Sequence, residues 1–127
     1  MTTRRLVLVV DDDPSILGAV ERLLKVRGFD TKAFNNVESF LDRANLCDAT
    51  CLVLDIHLNG MSGIELWRQL TRSGIELPVI FITANDSEAT RKAAMEAGCV
   101  AYLPKPFPTK LLIDAIETAL TQPRSTT

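Results

Sequence analysis

Three short runs of this chain, Leu6–Val10, Cys51–Leu54 and Val79–Ile82, are apolar at every position. A strand with one face in water alternates polar and apolar residues, so a strand without alternation must be covered on both faces. A parallel sheet with helices on each side meets that condition. Thr31–Phe34 and Val100–Leu103 are weaker strand candidates, and they bring the expected count to five. Between the strands lie amphipathic stretches. Ile16, Leu17, Val20, Leu23 and Leu24 recur at helical spacing, and Gly28 supplies a stop. Val37–Leu41 is a shorter helix. Ser62 and Glu65 form an S-x-x-E capping box before Leu66, Trp67 and Leu70. Asn85 with Glu88 offers a cap for a helix over Ala89–Ala97, ended by Gly98. Ile113, Ile116, Ala119 and Leu120 mark the last helix. A β-α unit repeated five times predicts a doubly wound, three-layer α/β domain.

The 127 residues suit a single domain, and 46% hydrophobic with 24% charged residues is ordinary for a globular chain. The domain built from these elements is expected to span residues 1–122, with 123–127 as a tail or the start of a linker; Gln122–Thr127 is rich in Ser, Thr and Pro. A net charge of −2 gives no footprint for nucleic acid, so no direct nucleic-acid contact is expected. The apolar runs are too short to span a bilayer, and MTTRRL lacks the apolar stretch of a signal peptide. No membrane association and a cytoplasmic location are expected. Cys47, Cys51 and Cys99 are odd in number and lack CxxC spacing, which argues against a disulfide framework or a zinc site. They read as small apolar residues in a reducing compartment.

The first apolar run ends in Asp11, Asp12 and Asp13. Two carboxylates about 5 Å apart repel by roughly 3 kcal/mol at an effective dielectric of ~20. Asp13 precedes Pro14, a good first helical residue, and is expected to cap the first helix. Asp11 and Asp12 need solvent or a cation. In open α/β sheets, ligands sit beyond the carboxyl ends of the strands. There the third strand ends in Asp55, the fourth in Thr83, and the fifth runs through Tyr102, Leu103 and Pro104 into Lys105. Parallel strands would bring these groups to one rim. Oxygen-only ligands select a hard divalent cation, Mg2+ or Mn2+. His57, the single histidine, cannot build a zinc site alone and reads as solvent-facing. Trp67 reads as a packing residue.

The set Asp11-Asp12, Asp55, Thr83 and Lys105, each at a strand end and in this order, resembles the receiver domain of bacterial two-component response regulators. The resemblance covers about Arg5 to Leu120. It implies a flavodoxin-like sheet of order 2-1-3-4-5. Asp55 matches the phosphoacceptor. Asp12 matches the acidic residue that binds Mg2+ directly, Asp11 its partner acting through a water, and the His57 backbone carbonyl the main-chain metal ligand. Thr83 matches the hydroxyl residue that contacts the phosphoryl group, and Lys105 the invariant lysine, whose bond to Pro106 is cis in the family. Tyr102 matches the switch aromatic, moving with Thr83 to change the face formed by the fourth helix, fifth strand and fifth helix. Asn59 stands where many relatives have proline. His57 and Asn85 occupy the two variable positions that tune phosphoryl lifetime.

What the resemblance implies is a signalling domain whose only chemistry is phosphorylation and dephosphorylation of its own Asp55. The donor would be a sensor histidine kinase or a phosphotransfer protein, with acetyl phosphate as a small substitute. DDDPSI is similar to members bearing a helix-turn-helix output, which leaves room for a DNA-binding effector domain and for a homodimer on phosphorylation. Three other readings stand beside it. An aspartate-based phosphatase or phosphotransferase typically needs a second acid two residues after the nucleophile, where His57 stands. The intact acidic set argues against an unphosphorylated interaction module. A flavin site would need a Ser/Thr/Gly-rich phosphate loop at a strand end.

Overall fold

A computed structural model describes residues 5–121. The elements in chain order are β1 (Leu6–Val10), α1 (Pro14–Val26), β2 (Asp30–Phe34), α2 (Val37–Arg43), β3 (Cys51–Asp55), β4 (His57–Leu58), β5 (Met61–Ser62), α3 (Gly63–Arg72), β6 (Val79–Thr83), α4 (Glu88–Glu96), β7 (Ala101–Pro104) and α5 (Thr109–Thr121). The expected tail, and with it a domain boundary after residue 122, lies outside the described residues.

The main sheet runs β2-β1-β3-β6-β7 with every pair parallel. Counting only its five strands, the order is 2-1-3-4-5. β1, β3 and β6 are buried at every position, as their unbroken apolar runs require. Alternate residues feed two cores. Leu8, Leu52, Leu54 and Phe81 face Phe40 of α2, Leu66 and Trp67 of α3 and Ala94 of α4. Val7, Val9, Val53, Ile80 and Ile82 face Leu17 and Leu24 of α1 and Leu112 and Ile116 of α5. Each such side chain fully removed from water contributes about 1.5–3 kcal/mol. Trp67 packs, as expected: its ring is buried and Nε1–H donates to the Ala97 carbonyl at 3.2 Å, tying α3 to the end of α4.

The caps differ from expectation in two places. Asp13 caps α1 by accepting from the Ser15 N–H at 2.9 Å, with Pro14 first in the helix. Ser62 caps α3, but the Glu65 carboxylate reaches forward to Arg72 at 3.0 Å, so the box is not reciprocal. α4 is capped by Ser87, which accepts from the Thr90 N–H at 3.1 Å, and not by Asn85. Asn85 is exposed, its backbone N–H donates to Thr83 Oγ1 in the turn after β6, and two residues of loop separate it from the helix. The short β4–β5 hairpin, paired His57 to Ser62 and Leu58 to Met61, was not expected. Its turn is Asn59-Gly60, with Gly60 at φ +81°.

Candidate phosphoryl and metal site

At the carboxyl end of β1 the three aspartates part ways. The Asp11 backbone N–H donates to the Phe34 carbonyl at 3.1 Å and carries the strand one residue further, which turns its side chain into the molecule, fully buried. Its carboxylate accepts from the Asp13 N–H at 2.9 Å and from Lys105 Nζ at 2.7 Å. Asp12 is half-buried on the rim. Asp13 faces away to its cap.

Asp55 closes β3, 3% exposed, opposite Ile82 of β6. It accepts from the His57 N–H at 3.2 Å, and Lys105 Nζ stands 3.4 Å from its other oxygen. Lys105 follows β7. Its own N–H donates to the Thr83 carbonyl at 2.7 Å, and the Lys105–Pro106 bond is cis. The lysine is thus seated on Asp11 and within reach of Asp55.

One oxygen each of Asp11, Asp12 and Asp55 lies within 4.8 Å of the others. Burial and the Asp11 charge push the Asp55 carboxyl up, against the His57 N–H and Lys105, which act downward. Burial pulls the Lys105 ammonium down, but its hydrogen bond to Asp11 and the charges of Asp11 and Asp55 outweigh this and raise it. The set is hard oxygen, crowded and anionic. An octahedral Mg2+ with ligands at about 2.1 Å sets neighbouring oxygens about 3 Å apart and opposite ones about 4.2 Å apart, so the three donors fit one ion once they draw closer together around it.

The α3 N-terminus abuts this site. Gly63 N–H donates to the Ile56 carbonyl at 2.7 Å, and a Cβ at Gly63 would fall on the Asp55 carbonyl, 2.9 Å from its carbon. Glycine is required there by close approach. The S-x-x-E pattern marks this helix start in the sequence; the proximity to Asp55 carries no local sequence signal.

Thr83, fully buried at the end of β6, accepts from the Asn85 N–H at 3.0 Å, and its Oγ1 meets His57 Nδ1 at 3.2 Å. His57 is exposed, as expected, but its ring is engaged. Tyr102 is buried on β7, and its hydroxyl donates to Asp86 Oδ1 at 2.7 Å. Arg91 of α4 pairs with Asp86 at 3.3 Å and lies 4.9 Å from the centre of the Tyr102 ring. Desolvation and the bond to Asp86 raise the Tyr102 hydroxyl, keeping it protonated as the donor. The His57 ring, Asp86 and Arg91 were not among the site residues expected from sequence. The sequence-predicted Asp11, Asp12, Asp55 and Lys105 do meet, while Thr83 ends β6 and Tyr102 sits within the neighbouring β7, opposite Phe81, each with its own polar partner.

Among the described residues, no helix is long and apolar enough to cross a membrane. Cys51 is buried in β3, where desolvation pushes its thiol up to about 12, Cys99 is half-buried and Cys47 exposed; none is in a disulfide.

Residues 7–117 match the response regulator receiver domain family. The chain is 33% identical to the response regulator protein TmoT of Ectopseudomonas mendocina over 114 residues, 90% of this chain and 52% of that protein. It thus spans about half the length of the curated relatives it matches. Among solved structures it is similar to the response regulator StyR, with 42% identity and a TM-score of 0.85 over 92% of this chain and 59% of that one. It is also similar to the BeF3-activated DrrB receiver domain, with 30% identity and a TM-score of 0.82 over 94% and 99% of the two chains.

Proposed function

The chain belongs to the response regulator receiver family, and from that premise we propose that Asp55 is its phosphoacceptor, served by Lys105, Thr83 and the acidic pair Asp11 and Asp12. The observation that carries this reading is the meeting of three carboxylates within 4.8 Å, with one ammonium on two of them.

An Asp55 oxygen attacks the phosphorus of a phosphohistidine on a sensor kinase or a phosphotransfer protein. The P–N bond breaks, its electron pair returns to the imidazole, and an acyl phosphate forms. The His57 N–H orients the attacking carboxylate. Lys105 is a point charge on a flexible stem, free to pass from Asp11 and Asp55 to a phosphoryl oxygen. Receivers of this family generally bind Mg2+. Here Asp11, Asp12, Asp55 and the His57 carbonyl would hold it, with Mn2+ as a substitute, and when bound it neutralises charge as two anions approach. Water attacking the same phosphorus releases inorganic phosphate and restores the carboxylate.

Thr83 would then donate to the phosphoryl group, and Tyr102 would report the change on the face of α4, β7 and α5. Moving a two-state equilibrium from 1:99 to 99:1 takes about 5.5 kcal/mol. A charge-assisted hydrogen bond contributes roughly 1.5–3 kcal/mol, so the switch is incomplete without a partner. The site lies in the cytoplasm in this reading. The output is a DNA-binding domain in a longer protein, with a homodimer on phosphorylation.

Incubation with acetyl phosphate and Mg2+ should label the parent, and Asp55→Asn should lose the label. Full labelling of that variant removes Asp55 from its role, and labelling undiminished in EDTA removes the metal.

A further inference from the structure

The His57 side chain has no part in the chemistry above, yet its ring lies against the switch hydroxyl. Thr83 Oγ1 has one proton and two lone pairs. The Asn85 N–H, at 3.0 Å, takes one lone pair. The remaining polar partner is His57 Nδ1 at 3.2 Å. Thr83 is fully buried and His57 exposed, so the ring reaches the hydroxyl from the outside.

We propose that the His57 imidazole is a positioning residue that holds Thr83 in its resting orientation, with Nδ1 accepting the single hydroxyl proton that a phosphoryl oxygen must later claim. The proposal rests on the phosphoacceptor reading of Asp55. A hydroxyl cannot donate to both acceptors at once. Phosphorylation therefore gains the Thr83–phosphoryl bond only by giving up the Thr83–His57 bond. A groove of about 580 Å³ between the β4–β5 hairpin and α4 includes His57 in its wall beside Leu58, Met61, Ala89 and Thr90. It gives the released ring somewhere to go. The contact sets a threshold: it stabilises the resting state without touching the bonds that form at phosphorus.

The test is a titration of 15N-labelled protein with beryllofluoride in saturating Mg2+, read at the amides of Asn85 and Tyr102. His57→Phe and His57→Ala both lose the acceptor, one keeping ring shape and one not, and both keep the backbone carbonyl. Each should reach half-saturation at a beryllofluoride concentration about 2- to 10-fold lower than the parent, the range expected for one neutral hydrogen bond. His57→Asn, which restores an acceptor near the Nδ1 position, should return the midpoint toward the parent value. In a Thr83→Val background the His57→Phe shift should vanish. Parent-like midpoints in both His57→Phe and His57→Ala overturn the inference, as does a shift that persists in Thr83→Val. A parent that gives no beryllofluoride response overturns the phosphoacceptor reading and this inference with it; a responsive parent beside unresponsive variants overturns this inference alone.

Discussion

In the folded protein the Asp55 carboxyl ionises above its ordinary value because burial and the neighbouring Asp11 charge both oppose the anion. In the unfolded chain it ionises near 3.8. The folded state therefore binds this proton more tightly, and stability is lost as pH rises from about 3.8 through the folded pKa. Above that the penalty is constant. Asp55→Asn removes the charge and keeps the shape, so it should melt about 2–5 °C higher than the parent at pH 7. The gain should shrink as pH falls toward 4. Calorimetric melting at the two pH values checks this; a lower melting temperature for Asp55→Asn at pH 7 would mean that its bonds to Lys105 and the His57 N–H outweigh the repulsion. At this scale the acid set was legible from the chain because each member stands at the end of an apolar strand. Parallel topology alone then brings Asp11, Asp12, Asp55 and Lys105 to one rim. The His57–Thr83 and Tyr102–Asp86 contacts were not legible. They depend on rotamers and on loop paths between residues 26 and 16 positions apart, which no periodicity encodes.

Two glycines near the site separate two kinds of constraint on the elements. Gly63 begins α3 with negative φ but stands where a Cβ would strike the Asp55 backbone. Gly60 turns the β4–β5 hairpin at φ +81° with open space around it. Gly63→Ala must push α3 away from β3 or shift the Asp55 carbonyl. We expect a loss of about 3 kcal/mol, at the upper end for overpacking, and a labelling rate with acetyl phosphate down by tenfold or more, since about an ångström of misplacement is costly to reactivity. Gly60→Ala should lose roughly 1–2 kcal/mol from its left-handed backbone and keep its labelling rate. Urea midpoints and labelling time courses measured together distinguish the two; equal labelling rates in both variants would show that α3 does not register Asp55. The element boundaries missed in the sequence have local causes. Asn85 and Ser87 are both good capping residues, but the Asn85 N–H closes the turn after β6 on Thr83 Oγ1, and Ser87 takes the cap. The hairpin had a signal in Asn59-Gly60, a dipeptide favoured in tight turns, but its strands are too short for alternation to show.

Across the whole molecule the helices are anchored unequally. α5 buries Leu112, Ile113, Ala115, Ile116 and Ala119, and α3 buries five residues including Trp67. α4, nine residues long, buries only Ala94. Its ends are held by polar ties instead: Arg91 with Asp86 and Tyr102 near the start, and the Trp67 Nε1–H to Ala97 at the close. Polar ties can be exchanged one for another at small net cost, whereas an apolar face leaves its core only at roughly 25 cal/mol per Å² exposed. α4 is thus the element that can move while the sheet and the α1–α5 layer stay fixed. Native-state hydrogen exchange tests this directly. Amides of Lys92–Glu96 should exchange at least tenfold faster than those of Ile113–Ala119. Their rates should rise only weakly with sub-denaturing urea, because opening α4 exposes little surface, while the α5 amides should show the steep dependence of global unfolding. Should both helices exchange at one rate with one urea dependence, α4 opens only with the whole domain. A switch read on the α4–β7–α5 face would then need the sheet itself to move, and the Tyr102–Asp86–Arg91 cluster would be a fixed part of the core.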